Sequence, residues 1–251
     1  MNHVYHHSGH LGDMIYAMPA MRSMASIDGP IDLEISPIVR SQKLPPINPA
    51  GVEAIKPLLL AAPFIRSVTF VERMTAGARN LDVPRYARAL PGEKSIAAAH
   101  LRKLVNYNVE WLSEPWLSVA PLTLASVIIN RSPRWHEPGA EGIWNRILDA
   151  AGGRAGFIGL QEDLVAFEQA TGRSIRYVPT PNLLEAAKII AGAEFFVGNQ
   201  SACLAIAQGL GHPRIAFERS RQFDNCDIPQ ILTVKFDERD RLQNFLLEIA
   251  H

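Results

Sequence analysis

The sequence is poor in cysteine, in long apolar runs and in net charge. Its two cysteines, Cys203 and Cys226, stand far apart, which excludes a disulfide framework and a cysteine-based metal or redox motif. The longest apolar run, residues 58–65, is too short to span a bilayer, and the chain does not open with the residue order of a signal peptide. We therefore expect a cytoplasmic protein without a membrane span, and peripheral contact with a membrane stays open.

Charge of one sign is also missing, because 25 lysines and arginines balance 25 aspartates and glutamates. A neutral chain argues against non-specific binding to nucleic acid, so no nucleic-acid partner is expected. The basic residues of the first half cluster between Arg66 and Lys103. This cluster predicts either a solvated surface or a face that meets an acceptor substrate, and Arg79 and Arg85 are its candidate acceptor-binding residues.

Short β-rich runs alternate with longer helical runs, in two successive series. The first series begins with a strand over residues 3–7, and the second begins with a strand over residues 124–130. Two such series predict two parallel-sheet lobes rather than one closed barrel. We therefore predict an α/β protein divided into residues 1–122, 123–237 and 238–251, the last being an amphipathic helix.

The first candidate site is the loop between the first predicted strand and a helix predicted to begin near Asp13. Ligands of open α/β sheets bind at the carboxyl ends of strands, where loop amides and helix N-termini point into a crevice. The loop has Gly9 and Gly12 but lacks the third glycine of a dinucleotide fingerprint, and no Gly-Lys-Ser follows. Asp13 is therefore either a helix cap or a carboxylate that takes a proton from an attacking hydroxyl.

The second candidate site is the turn Gly198-Asn199-Gln200-Ser201, between a predicted strand and a predicted helix. Gly198 allows a sharp backbone turn, and the next three residues offer amides and side-chain donors at a helix N-terminus. This arrangement predicts either a cradle for a pyrophosphate or an ordinary N-cap by Asn199 or Ser201. Glu218 ends the last predicted strand and is either a contact to a ribose or base hydroxyl or an exposed loop acid.

Neither a metal site nor a hydrolase site is predicted. His6 and His7 are neighbours in a predicted strand, so their side chains point to opposite faces and do not easily bind one ion. Ser201 and His212 lack the Gly-x-Ser-x-Gly elbow that presents a nucleophilic serine. We therefore expect no metal and no resident cofactor.

Two segments resemble glycosyltransferase family nine, the ADP-heptose:lipopolysaccharide heptosyltransferases. Residues 7–21 resemble the N-terminal motif of this family, in which a Gly-Asp pair, here Gly12-Asp13, precedes apolar residues and a Pro-Ala step. Residues 190–201, with 205–213 after them, resemble its C-terminal donor motif. Residues 127–135 lie where the second lobe of the family begins its phosphate-contacting loop.

The resemblance implies a GT-B fold, with two Rossmann-like lobes whose parallel sheets face a central cleft. It places the donor on the C-terminal lobe and the acceptor on the N-terminal lobe, and it implies metal-independent transfer with inversion. Asp13 matches the general base of the family, and Asn199-Gln200-Ser201 matches its donor loop. The last helix is expected to pack back on the N-terminal lobe.

The resemblance and the candidate sites together give two sets of binding residues. Donor binding is expected at Gly12, Asn130, Arg131, Ser132, Arg134, Gly198, Asn199, Gln200, Ser201 and Glu218. Acceptor binding is expected at His10, Arg79 and Arg85. The chain departs from the family pattern at Gln200, which replaces an acid, and before Trp144, where a basic residue is absent. Arg131 or Arg134 would supply the missing positive charge. The chain is also shorter than typical members.

The resulting hypothesis is a glycosyltransferase that moves a sugar from a nucleotide-diphosphate sugar to a saccharide or other hydroxyl acceptor. Asp13 would deprotonate the acceptor, and the Asn199-Gln200-Ser201 turn would stabilise the leaving diphosphate. Two alternatives stay open. One is a non-catalytic nucleotide or nucleotide-sugar binding protein of the same fold, and the other is a sugar-nucleotide epimerase or hydrolase.

Overall fold

The computed structural model divides the chain into two compact units, which are described separately. Unit 1 comprises residues 1–118, 182–184 and 225–230, and unit 2 comprises residues 119–181, 185–224 and 231–251. The main division falls at Val119, close to the predicted boundary after residue 122. The structure describes residues 3–37, 47–82, 95–105, 112–134, 136–137, 139–219, 226, 228 and 231–251.

Unit 1 is built around a parallel sheet with the strand order β3-β2-β1-β4. Its elements are, in chain order, β1 (Val4–His7), α1 (Leu11–Asp28), β2 (Ile31–Ile35), α2 (Pro49–Leu60), β3 (Ile65–Phe70), β4 (Arg79–Asn80) and α3 (Ile96–Leu104). In β2 the buried residues Ile31, Leu33 and Ile35 alternate with half-buried acids, as expected for a strand with unlike faces.

The helix α1 packs against α3, and the two contribute opposite kinds of side chain. The buried side of α1 is rich in methionine, whereas α3 buries Ala97, Ala98 and Ala99. Small alanines let the helices approach closely, and flexible methionines fill the remaining space. Pro19 lies inside α1, where it removes one backbone donor without ending the helix.

Unit 2 is built around a larger parallel sheet with the strand order β10-β9-β8-β5-β6-β7. Its elements are β5 (Val127–Asn130), α4 (Glu141–Ala151), β6 (Ala155–Phe157), α5 (Gln161–Thr171), β7 (Arg176–Tyr177), α6 (Leu183–Ala191, from Glu185 onward in this unit), β8 (Phe195–Asn199), α7 (Ala202–Gly209), β9 (Ile215–Glu218), β10 (Thr233–Lys235) and α8 (Arg239–Ala250). The prediction of two parallel sheets is therefore confirmed. No helix in the described part of the chain is long and apolar enough to cross a bilayer.

The core of unit 2 is organised by aromatic side chains. The indole of Trp144, which is fully buried, meets Phe167 edge-on at a centroid distance of 5.4 Å and Phe236 at 5.0 Å. Phe195 meets Phe245 edge-on at 5.5 Å. Such edge-to-face pairs add about 0.5–1.5 kcal/mol to the burial of their area.

The final helix, α8, packs within unit 2, which corrects the expectation that it packs back on the N-terminal lobe. Its apolar stripe, Leu242, Phe245, Leu246 and Ile249, belongs to the same core cluster as Trp144. The helix packs on α4. Only residues 236–238 separate β10 from α8, and so short a connection leads a helix back onto its own sheet.

Two substitutions in α8 test this packing. We expect Phe245→Ala to lower the free energy of unfolding by about 3–5 kcal/mol, because it leaves a cavity against Phe195. Leu247→Ala is the matched control, since Leu247 is 50% exposed on the same helix. Chemical denaturation followed by circular dichroism measures both, and equal effects of the two substitutions would contradict the packing described.

Candidate functional site

The residues predicted from three separate segments come together at one edge of the unit 2 sheet. The strands β5, β8 and β9 are adjacent and parallel, so their carboxyl ends lie side by side. Asn130 at the end of β5 pairs with Gly198, and Asn199 at the end of β8 pairs with Glu218 at the end of β9. This is the edge of an open α/β sheet at which ligands bind.

Asn199 holds the loop that follows β5. Its Oδ1 accepts from the Ser132 amide at 3.0 Å, and its Nδ2 donates to the carbonyls of Ser132 at 3.0 Å and Arg134 at 2.6 Å. The side chain is fully buried. Asn199 therefore fixes the backbone of residues 132–134 and is not the N-cap of α7.

Ser201 is the N-cap of α7. Of the two residues that the sequence offered for this position, Asn199 and Ser201, it is therefore Ser201 that caps the helix. Its Oγ accepts from the Leu204 amide at 3.3 Å and donates to Asn130 Oδ1 at 2.8 Å. Asn130 in turn donates from Nδ2 to the Ile158 carbonyl at 2.9 Å. The first turn of α7 thus begins at the sheet edge, with the partial positive charge of a helix N-terminus. Gln200, just before it, is buried.

Gly198 is required by close packing and not by a sharp turn, which corrects the expected role of this residue. It lies within β8, and its φ is not positive. A Cβ at this position would lie 2.9 Å from the ring of Phe196 and 3.2 Å from the Asn130 carbonyl oxygen. Only glycine lets the strand pass this ring.

Glu218 is neither an exposed loop acid nor, as placed, open to a ribose hydroxyl. Its carboxylate is 1% exposed and accepts from Arg131 Nε at 3.1 Å, from Trp144 Nε1 at 2.8 Å and from the Glu137 amide at 2.6 Å. Arg131 is buried too, and its guanidinium lies 6.0 Å from the Trp144 ring centre. The Arg131 charge is thus used by the protein itself, and the geometry favours Arg134 over Arg131 as the cation for a ligand.

Arg134 is exposed, and its charge acts on Asp163, an acid that the sequence analysis missed. The pKa of the Asp163 carboxyl is raised, chiefly by burial and further by the charge of Glu162, while the Leu160 amide, His136 and Arg134 partly offset the rise. Asp163 lies in the first turn of α5, just after β6, at the same edge of the sheet. The sequence did contain a signal for Asp163, because an acid at the start of a helix that follows a strand lies at the edge of the sheet where ligands bind.

In unit 1, Asp13 lies in the first turn of α1 and is not its N-cap. The helix begins at Leu11, earlier than predicted, and the N-cap position belongs to His10, which makes no side-chain cap bond. Gly12 and Asp13 are half-buried at the carboxyl end of β1. The capping alternative for Asp13 is therefore wrong, although an acid in the first turn still interacts favourably with the helix dipole.

The loop before α1 is held by Asp82, a second residue that the sequence analysis missed. Asp82 is 3% exposed and follows β4. Its Oδ1 and Oδ2 accept from the Ser8 amide at 3.0 and 3.1 Å, and its Oδ2 also accepts from the Ser8 hydroxyl. The partners are 74 residues apart, so no local pattern in the sequence indicates this contact.

Arg79 does not lie near His10 or Asp13, which corrects its assignment to acceptor binding. It pairs with Asp28 and donates to the Tyr5 hydroxyl at 3.0 Å. Asp28 ends α1, about 20 Å along the helix axis from Asp13 at 1.5 Å per residue. Arg85, the other predicted acceptor-binding arginine, lies outside the described residues.

Within the described ranges, no group of three His, Cys, Asp or Glu side chains is arranged to hold a metal ion. His6 and His7 make hydrogen bonds to different groups, although the Nδ1 atoms of both lie within 4.0 Å of the Asp82 carboxylate. Nε2 of His6 lies 2.8 Å from the Ser36 hydroxyl, and Nδ1 of His7 accepts from the Gly9 amide at 2.7 Å.

Comparison with known proteins gives matches among solved structures alone. Neither a family model nor a curated protein sequence matches the chain. E. coli heptosyltransferase WaaC with ADP superposes with a TM-score of 0.63 at 11% identity, over 100% of both chains. A glycosyl transferase family 9 structure from Veillonella parvula DSM 2008 gives 0.58 at 12% identity, over 100% of this chain and 90% of that one. E. coli ADP-heptose lps heptosyltransferase II gives 0.53 at 13% identity, over 100% of both.

The chain has the GT-B fold of these glycosyltransferases. Identities of 11–13% establish the fold alone. The fold is the one implied by the resemblance of residues 7–21, 190–201 and 205–213 to glycosyltransferase family nine.

The buried ion pair gives a prediction on stability. We expect Glu218→Ala to lower the free energy of unfolding by about 3–5 kcal/mol, because it leaves the buried Arg131 charge and the Trp144 donor without their acceptor. Glu141→Ala is the control, since Glu141 is 44% exposed and lies 3.9 Å from the same arginine. Its loss should cost at most about 1 kcal/mol. If denaturant titration gave both variants the same stability, Glu218 would not anchor the edge.

Proposed function

We propose that the protein is a metal-independent, inverting glycosyltransferase that uses a nucleotide-diphosphate sugar. One observation carries the proposal. In a chain with the fold of glycosyltransferases, the 131–134 loop and the N-terminus of α7 meet at the carboxyl edge of the unit 2 sheet. A helix N-terminus next to a loop that carries an exposed arginine suits a diphosphate, because both favour negative charge.

The donor end of the reaction is assigned to unit 2. One structural neighbour was solved with ADP and another with ADP-2-deoxy-2-fluoro heptose, which supports an ADP-sugar as the first donor to test. The amides at the start of α7, with Arg134 and the half-buried Ser132, would bind the diphosphate and stabilise its charge as it leaves. Asn130, Asn199, Ser201 and the Glu218–Arg131 pair would hold these groups in place.

The acceptor end is assigned to Asp13. Its carboxylate would take the proton of the acceptor hydroxyl while the oxygen attacks the anomeric carbon opposite the leaving diphosphate, which inverts that centre. Positive charge from Arg134 and the α7 amides would replace the metal ion that other enzymes place on a diphosphate.

A second candidate is a protein that binds nucleotide-sugars without transferring them. Two features favour it: Gln200 stands where the resembled family has an acid, and Arg131 is paired with Glu218 inside the protein. The two candidates differ in one measurement, the release of free ADP from ADP-heptose in the presence of hydroxyl acceptors. Binding without release would favour the second.

The donor assignment is tested by the charge of Arg134. We expect Arg134→Gln to weaken ADP binding roughly tenfold to hundredfold, since hydrogen bonds to charged groups contribute about 1.5–3 kcal/mol. Arg173→Gln is the control, because Arg173 is an exposed arginine of the same unit, before the amino end of β7, paired with Asp149 on the surface. Calorimetric titration with ADP measures both. Equal affinity in the two variants would remove Arg134 from the donor site.

The role of Asp13 is tested by Asp13→Asn. The change keeps the size of the side chain and removes its basicity, so we expect transfer to fall by roughly 100- to 10,000-fold. The melting temperature should fall only slightly, because an acid in the first turn of a helix contributes about 0.3–1 kcal/mol. ADP affinity should be retained. A near-normal rate of transfer in this variant would exclude Asp13 as the base.

A further inference from the structure

Asp82 lies just after β4, in a segment that is hydrogen-bonded to the unit 1 sheet. The Leu81 amide donates to the His6 carbonyl at 2.8 Å and so extends the ladder between β1 and β4. The Asp82 amide donates to Asn80 Oδ1 at 2.7 Å. The amides of Leu81 and Asp82 are therefore both hydrogen-bonded, which restrains the backbone that carries the Asp82 carboxylate.

Two histidines lie near the Asp82 carboxylate, but its hydrogen bonds come from Ser8. Nδ1 of His7 lies 3.7 Å from Asp82 Oδ1, and Nδ1 of His6 lies 4.0 Å from Oδ2. Burial lowers the pKa of His6, so that histidine is mainly neutral near pH 7. A buried carboxylate needs hydrogen-bond donors, and here the Ser8 amide and hydroxyl supply them.

Gly9 carries the constraint from Ser8 to Asp13. Its amide donates to His7 Nδ1, and a Cβ on Gly9 would lie 2.0 Å from His7 Cε1. The same Cβ would lie 3.2 Å from the Cβ of Asp13, so the Gly9 backbone lies close to Asp13 and leaves no room for a side chain between them. A shift of the Ser8–Gly9 backbone would therefore move Asp13.

We propose that Asp82 is a positioning residue that holds, through Ser8 and Gly9, the Asp13 carboxylate where it takes the acceptor proton. This inference rests on the proposed function. The positioning role requires a carboxylate at position 82, because both of its oxygens accept hydrogen bonds from Ser8. An asparagine there has one acceptor oxygen and would turn an NH₂ group toward donors. Displacement of a reacting group by about 1 Å can cost roughly 100-fold in rate.

The test compares three variants with the wild-type protein. Asp82→Asn removes the paired acceptors, and Ser8→Ala removes only the hydroxyl bond. Asp32→Asn is the control, because Asp32 is a carboxylate of the same sheet that accepts from Arg66 and Ser67 near the amino end of β2. Two readouts are taken: kcat and KM with ADP-heptose, and the ¹³C NMR signal of the Asp13 carboxyl, assigned by its loss in Asp13→Asn.

We expect kcat to fall roughly 100-fold in Asp82→Asn, less in Ser8→Ala and not at all in Asp32→Asn, with KM for the donor unchanged throughout. The Asp13 signal should shift in the first two variants and not in the control. If Asp82→Asn does not fold, the positioning role is tested by Ser8→Ala, which leaves the carboxylate and the amide bonds in place. A lower kcat and a shifted Asp13 signal in Ser8→Ala would then support the role, and their absence would overturn it.

The outcomes separate this inference from the proposed function. Normal kcat in Asp82→Asn beside a loss in Asp13→Asn overturns the positioning role alone. Equal losses in Asp82→Asn and Asp32→Asn also overturn it. A normal rate in Asp13→Asn overturns the proposed base, and the positioning role with it. If the wild-type protein transfers no sugar, the proposed function fails. An unshifted Asp13 signal in Asp82→Asn overturns the positioning role whatever the activity.

Discussion

In each unit a buried carboxylate holds the loop that follows the first strand of the sheet. Glu218 receives three donors from the segment after β5 and from α4, and Asp82 receives the amide and hydroxyl of Ser8 after β1. A carboxylate taken out of water is satisfied only while its donors stay in place. Each contact therefore fixes a stretch of irregular backbone. Asp13 follows one of these loops, and Arg134 belongs to the other.

The parallel sheets make these contacts geometrically available. In a parallel sheet every strand ends at the same edge, so residues distant in the chain become neighbours there. Arg131 and Glu218 are 87 residues apart, and Ser8 and Asp82 are 74 apart. The helices that return the chain between strands carry little of this chemistry. They supply instead the apolar faces, such as those of Trp144 and Phe245, that keep the sheet in place.

Residues that hold the sites and residues proposed to contact a ligand differ in burial. Asn199, Asn130 and Glu218 are buried, whereas Arg134 is exposed, and Ser132 and Asp13 are half-buried. The first group can fix a geometry but offers little surface to a ligand. The second group has both the chemistry and the access, and for that reason the proposed function gives it the direct roles.

The sequence by itself determined the two β/α series, the parallel sheets and the segments around Asp13 and Ser201, because alternating patterns and strand-end turns are local signals. It also indicated which polar residues end the strands of the unit 2 sheet. Only the tertiary structure decided which of these residues pair with one another inside the protein. Glu218 and Arg131 have the chemistry of a ligand site, but the fold brings them within 3.1 Å of each other. Arg79 pairs with Asp28 for the same reason, and α8 returns to its own sheet. Asp82 has no local motif, and only the pairing of β4 beside β1 makes it a partner of Ser8.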